Sequence, residues 1–166
     1  MARLDGTTIY GNLMATGTIS GRQVFGAVYN DYAELRKVTK DINLFVAGTV
    51  VQEVGDGTVK ECDTYASPLA HIISDTYGVL MGERESAIPV GLAGRVLAYF
   101  DENYGEPEFG MPVCASPNGK IMPLPIDLPY PNSVLSILGV ISEIPDYLIW
   151  GTEDVVVNGR VWVNLK

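Results

Sequence analysis

The stretch AGTVVQEVGDGTVKE, residues 47–61, sets the pattern for most of the chain. Two runs of β-branched and polar residues flank Gly55-Asp56-Gly57, which reads as a tight hairpin turn between two strands. The same grammar returns in FGMPVCASPNGKIMP, residues 109–123, around a turn at Pro117-Asn118-Gly119. Gly48 aligns with Gly110 and Gly57 with Gly119, each 62 positions on.

Two further matches keep the order. YGVLMGE aligns with LGVISEI, placing Gly78 with Gly139, 61 positions on. AGRVLAYF aligns with NGRVWVNL, placing Gly94 with Gly159, 65 positions on. Four matches in one order imply a duplicated β unit, at about 45–100 and about 108–166, joined by DENYGEPEF. In GRVWVNLK, Val161, Val163 and Leu165 share one strand face and are assigned to the core, while Arg160, Trp162 and Asn164 share the other. Eighteen glycines and ten prolines leave little room for long helices. The fold class is therefore all-β, with the two units packed as a barrel or sandwich.

One short helix is predicted near residues 31–40. Asp31 has the chemistry of an N-cap, Glu34 stands three residues on as in a capping box, and Lys37 and Lys40 suit a helix C-terminus. Residues 1–28 read as an extended β arm of short strand-like pieces broken by glycines. Such pieces bury little alone. The arm is expected to oligomerise or dock through Ile9, Leu13, Ile19, Val24 and Phe25, with residues 29–166 as the globular domain.

Composition bounds the function. Apolar residues make up 47% and charged residues 19%, a charge-poor balance that implies apolar surface covered by sister subunits. The net charge of −9 repels phosphate backbones, so nucleic acid is not an expected partner. No apolar run reaches the ~18 residues of a membrane span, and the N-terminus has no apolar signal core. Cys62 and Cys114 are expected as packed, reduced thiols.

Few residues invite chemistry. His71 is the only histidine, which rules out an intrachain zinc site with two histidines. GDG lacks the Lys-Ser/Thr of a phosphate loop, and the acidic 101–108 stretch lacks the alternation of a calcium loop, so no cofactor is expected. Asn30-Asp31 is a soft peptide bond. An Asn side-chain amide can attack its own backbone carbonyl, and a carboxylate beside it can act as general acid or base. Asp31 and Glu34, one helical turn apart, are the candidate carboxylates. Tyr99, Tyr104, Phe109, Tyr130, Tyr147, Trp150 and Trp162 are expected near the surface, as anchors between subunits or as a rim for a host-surface glycan.

The stretch NDYAELRKV, followed by FVAGTVVQ, HIISDTYGVLMGE, GRVLAYF, ILGVISEIP and VNGRVWV, resembles the peptidase G2 domain. That family comprises autoproteolytic intramolecular chaperones at the C-termini of bacteriophage tail spikes and neck appendages. GNLMATGTISG is similar to shaft pieces of phage fibres. The resemblance implies a homotrimer and a virion location. It also implies a scissile bond at Asn30-Asp31, with Glu34 as the catalytic carboxylate and Asp31 beside it. In that family Ser commonly precedes the Asp, whereas this chain has Asn30, and only about 30 residues precede the box. The leading expectation is thus a retained virion protein: a trimeric fibre, spike or capsid decoration protein attached through its arm to a capsid or tail/neck partner. The alternatives are a self-cleaving chaperone and a glycan-binding fibre tip.

Overall fold

A computed structural model of the chain describes residues 31–82, 85–151 and 155–166. The 1–28 arm, with Ile9, Leu13, Ile19, Val24 and Phe25, lies outside the described residues, as does Asn30.

The fold is all-β. The first half holds β1 (Asp31–Val38), β2 (Val50–Glu53), β3 (Thr58–Glu61), β4 (Ala70–Ile72), β5 (Tyr77–Met81) and β6 (Ala87–Ala98). The second holds β7 (Pro112–Ala115), β8 (Ile121–Pro123), a single helical turn α1 (Asn132–Leu135), β9 (Gly139–Glu143), β10 (Ile149–Trp150), β11 (Val155–Val156) and β12 (Val161–Leu165). One sheet runs in the order β4-β2-β3-β1-β6-β12-β9-β7-β8, with β5 attached to β1. β10 and β11 form a small separate ribbon.

Both glycine-turn hairpins form. β2 pairs antiparallel with β3, and β7 with β8. In the first, the Asp56 carboxylate accepts from the Thr58 amide at 2.9 Å, closing an Asx-type turn. The hairpins also touch each other: the Val50 amide donates to the Gly119 carbonyl at 2.8 Å, and the Gly119 amide to the Cys62 carbonyl at 3.1 Å.

The sheet curls into a half-barrel. Beyond β4, Ile73 bridges back to Val90 of β6, and Phe100, just past β6, bridges to Ile121 of β8. One core draws on both halves, including Val50, Ile72, Val96, Ile121, Ile141 and Val163. Cys62 and Cys114 are free and buried, as expected, and burial pushes the Cys114 thiol up to about 12.

Residues 31–38 correct the sequence reading. They form strand β1, not a helix. A helix of about ten residues is marginal on its own. As a strand the segment is paired on both edges, antiparallel to β6 from Asp31 to Lys37 and parallel to β5 and β3 on the other side. Asp31 consequently caps nothing. It is buried with Ala33, whereas Tyr32 and Glu34 are more exposed. The only α-helical turn among the described residues is α1.

β12 is covered on both faces. Val161 and Val163 enter the main core, with Leu165 packed against it. Trp162, on the other face, is also fully buried, under the β10–β11 ribbon with Leu97 and Val157. The sequence reading placed Trp162, Trp150 and Tyr147 near the surface. Instead they form an internal cluster, with the two indoles edge to face at 5.0 Å. Two-residue strands such as β10 and β11 carry no readable periodicity, so this cover was invisible beforehand.

Candidate functional site

Asp31 is the unusual residue of the structure. The residue is only 3% exposed. Oδ1 accepts hydrogen bonds from Ser74 Oγ at 3.1 Å and Thr76 Oγ1 at 3.0 Å. Oδ2 has no partner among the described residues. The residue sits where β1 shifts register, opposite Gly94 of β6 and Tyr77 of β5. Gly91 of β6 lies on the Oδ2 side, where a Cβ would press on Leu165 Cδ1 and Val96 Cγ1 at 2.9 Å and make an ordinary contact with Oδ2 at 3.5 Å.

Burial raises the Asp31 pKa to about 6. The two hydroxyls pull against that rise, and the negative charge of Asp75 adds to it. A carboxyl titrating near neutrality can both hold and release a proton under ordinary conditions, which is what acid–base work requires.

Asp75 faces the opposite way from its neighbours. It receives both terminal nitrogens of Arg160, Nη1 to Oδ1 at 2.8 Å and Nη2 to Oδ2 at 2.9 Å. Arg160 is 3% exposed and also donates from Nε to the Val157 carbonyl at 3.1 Å. The three residues Ser74-Asp75-Thr76 therefore fasten Asp31 on one side and the approach to β12 on the other. Sequence reasoning missed Ser74 and Thr76. Their one visible signal is a hydroxyl pair flanking Asp75 in the strand-like stretch HIISDTYGV.

Glu34 is not gathered with Asp31. It pairs with Arg36 at 3.0 Å, and Arg36 also reaches Glu53 at 3.4 Å. His71 Nε2 lies 3.2 Å from the same Glu53 oxygen, and burial lowers its pKa against the pull of Glu53. This chain of charges spans β1, β2 and β4 and has the character of a scaffold tie.

Arg95 and Arg160, which the aligned GRV stretches place at matched positions, both find acidic partners. Arg95 pairs with Glu143 at 3.1 Å and lies 4.3 Å from the Trp162 ring centroid. Tyr147 links these parts: its hydroxyl donates to Glu143 at 2.7 Å and accepts from Trp162 Nε1 at 2.7 Å. Tyr147, Trp150 and Trp162 are thus occupied inside the fold and do not form a rim. Phe109 and Tyr130 remain largely exposed.

In the acidic joint, Asp101 is buried and accepts from Asn103 and Asn118 side chains at 2.8 and 2.9 Å, and from the Ser116 hydroxyl. It pins the loop to the second hairpin. Among the described residues, no group of three or more His, Cys, Asp or Glu side chains is placed to hold a metal ion.

No protein-family model matches the chain, nor does any curated protein sequence. Among solved structures, the fold is similar to that described as "Crystal structure of the pre-mature bacteriophage phi29 gene product 12", with a TM-score of 0.60 and 14% identity. The likeness covers 90% of this chain but 23% of that one, so this chain corresponds in length to a fraction of the phage protein. At that identity the likeness is one of fold.

Proposed function

We propose that this chain is a structural component of a bacteriophage particle, a homotrimeric fibre, spike or decoration protein attached through its 1–28 arm to a capsid or tail/neck protein. The observation that carries this reading is the fold itself, shared over 90% of the chain with a phage protein. Two features support it. Three of the peptidase G2-like landmarks, DYAELRKV, GRVLAYF and VNGRVWV, fall on β1, β6 and β12, adjacent strands in the middle of the sheet. The charge-poor composition suits a chain that spends apolar surface on its sisters. Light scattering on the full chain gives the test. A stable trimer is the expected result, and a monomer across the working concentration range removes the reading.

A second reading is favoured by the Asp31 carboxyl: the domain matures by cutting itself at Asn30-Asp31. In this step Asn30 Nδ2 attacks the Asn30 carbonyl carbon and gives up one proton, which replaces the one that the Asp31 carboxyl donates. The bond to the Asp31 nitrogen breaks, and that nitrogen takes up a proton. The fragments are a C-terminal succinimide at Asn30 and a new amino terminus at Asp31. Protonated Asp31, seated at the leaving nitrogen's own residue, is the general acid. Intact-mass measurement at pH 5 is the check. A fragment beginning at Asp31, lost in Asp31→Asn, supports self-processing. An unchanged mass after prolonged incubation retires it.

A further inference from the structure

β5 lies at a fork in the sheet. β1 gives one edge to β6 and divides the other between β3, at residues 37–38, and β5, at residues 31–34. Among the described residues, β1 is the one strand that pairs with β5, which leaves β5 an outer edge. A free edge is a row of unpaired amides and carbonyls, and proteins usually blunt it with charge, proline or a bulge. Residues 77–81, YGVLM, contain neither charge nor proline.

The side chains there are apolar and open. Val79, Leu80 and Met81 are 44%, 40% and 42% exposed. Strand alternation puts Val79 and Met81 on one face and Leu80 on the other. Tyr32, 55% exposed, is in register with Val79 and extends the first face onto β1.

We propose that this edge receives residues 22–26, RQVFG, from the arm of a second copy, as an added strand. The inference rests on the oligomer reading above and gives it a contact. Val24 and Phe25 are adjacent, so an extended strand presents one to each face, matching the two-sided apolar character of β5. Charge agrees. Residues 1–30 carry Arg3 and Arg22 against Asp5, a net +1, so the total of −9 leaves −10 on residues 31–166, and the body of one copy attracts the arm of another. Reach agrees as well. The five residues 26–30 between Phe25 and Asp31 span up to ~18 Å, a tether that lets the arm leave its own sheet. The arm of the same chain would have to reverse and pass around β5 within those five residues, because Asp31 is in register with Tyr77 at the start of β5.

The experiment is disulfide capture in the full chain. A disulfide needs Cα atoms within about 7 Å, so only paired neighbours are caught. Phe25→Cys and Leu80→Cys are combined in one chain, and separately as a refolded mixture of the two single variants. Val24→Cys with Val79→Cys tests the register that serves the other face. Under mild oxidation, one pair should give covalent oligomers on a non-reducing denaturing gel, well above either single variant alone. The mixture should give a hetero-crosslink. Crosslinks within single chains only, or none for either pair, overturn the proposal. Light scattering on the same samples separates the two levels. A trimer without crosslinks sinks the β5 contact and leaves the oligomer standing, whereas a monomer sinks both.

Discussion

Arg160 grips both carboxylate oxygens of Asp75, at 2.8 and 2.9 Å, across 85 positions of chain. The arginine is buried, while Asp75 retains partial access to water. Such a fork-to-fork pair fixes orientation as well as distance. Through Ser74 and Thr76, the same short segment also holds Asp31.

Removing Asp75 strands a buried guanidinium. Breaking a fully buried pair costs roughly 3–5 kcal/mol, and the partial exposure of Asp75 reduces this to about 2 kcal/mol for Asp75→Ala. Asp75→Asn, which keeps one acceptor, should lose less. Urea unfolding of both variants checks the order, and equal losses would show that the carboxylate is not what matters.

Asp31 supplies a pH signature of defined sign. Its folded pKa, about 6, lies above the ordinary value of 3.8. Below 3.8 the group is protonated in both states and costs nothing. Between 3.8 and about 6 the folded state holds the extra proton, so stability falls as pH rises, by up to about 3 kcal/mol, and stays lowered above. Asp31→Asn should flatten this part of the profile and be more stable than the parent at pH 7.5. Denaturation midpoints from pH 3.5 to 7.5 give the test, and parallel profiles would contradict it.

Gly139 begins β9 where the backbone of β12 passes closest. A Cβ there would run into the Asn164 carbonyl and come within 2.7 Å of Val163 Cγ1. Because the first obstacle is backbone, Gly139→Ala should cost about 3 kcal/mol, near the upper end for overpacking. A drop in thermal midpoint measures it. A neutral result would mean β9 and β12 lie further apart than described.

Tyr147 is the acceptor for the buried Trp162 indole. Tyr147→Phe leaves that N–H unpaired, at about 1–2 kcal/mol. In a double-mutant cycle with Trp162→Phe, the two losses should not add, since the second change removes the orphaned donor. Additive losses would show that the hydrogen bond contributes nothing.

The legible parts of this fold were those whose cause is local. The turns at Asp56 and Asn118 are dictated by the residues within them, so both hairpins could be read directly. The Asp31–Glu34 spacing pointed to a helix because capping chemistry is also local, but the strand's pairing with β6 and β5 outweighs it. The Asp31 site was out of reach for another reason. Ser74 and Thr76 stand 43 and 45 positions from Asp31, and sheet register brings them together, not spacing. The aromatic cluster was hidden by the same kind of distance, under a ribbon of two-residue strands.

β6 pairs with β1 over its first part and with β12 over its last, and β12 lies between β6 and β9. A nascent chain stopped at residue 158 would thus hold both flanking strands with an empty lane between them. Closure must wait until translation has passed residue 165 and the ribosome tunnel has let those residues go. Until then, β6 and β9 stand with their facing edges unpaired.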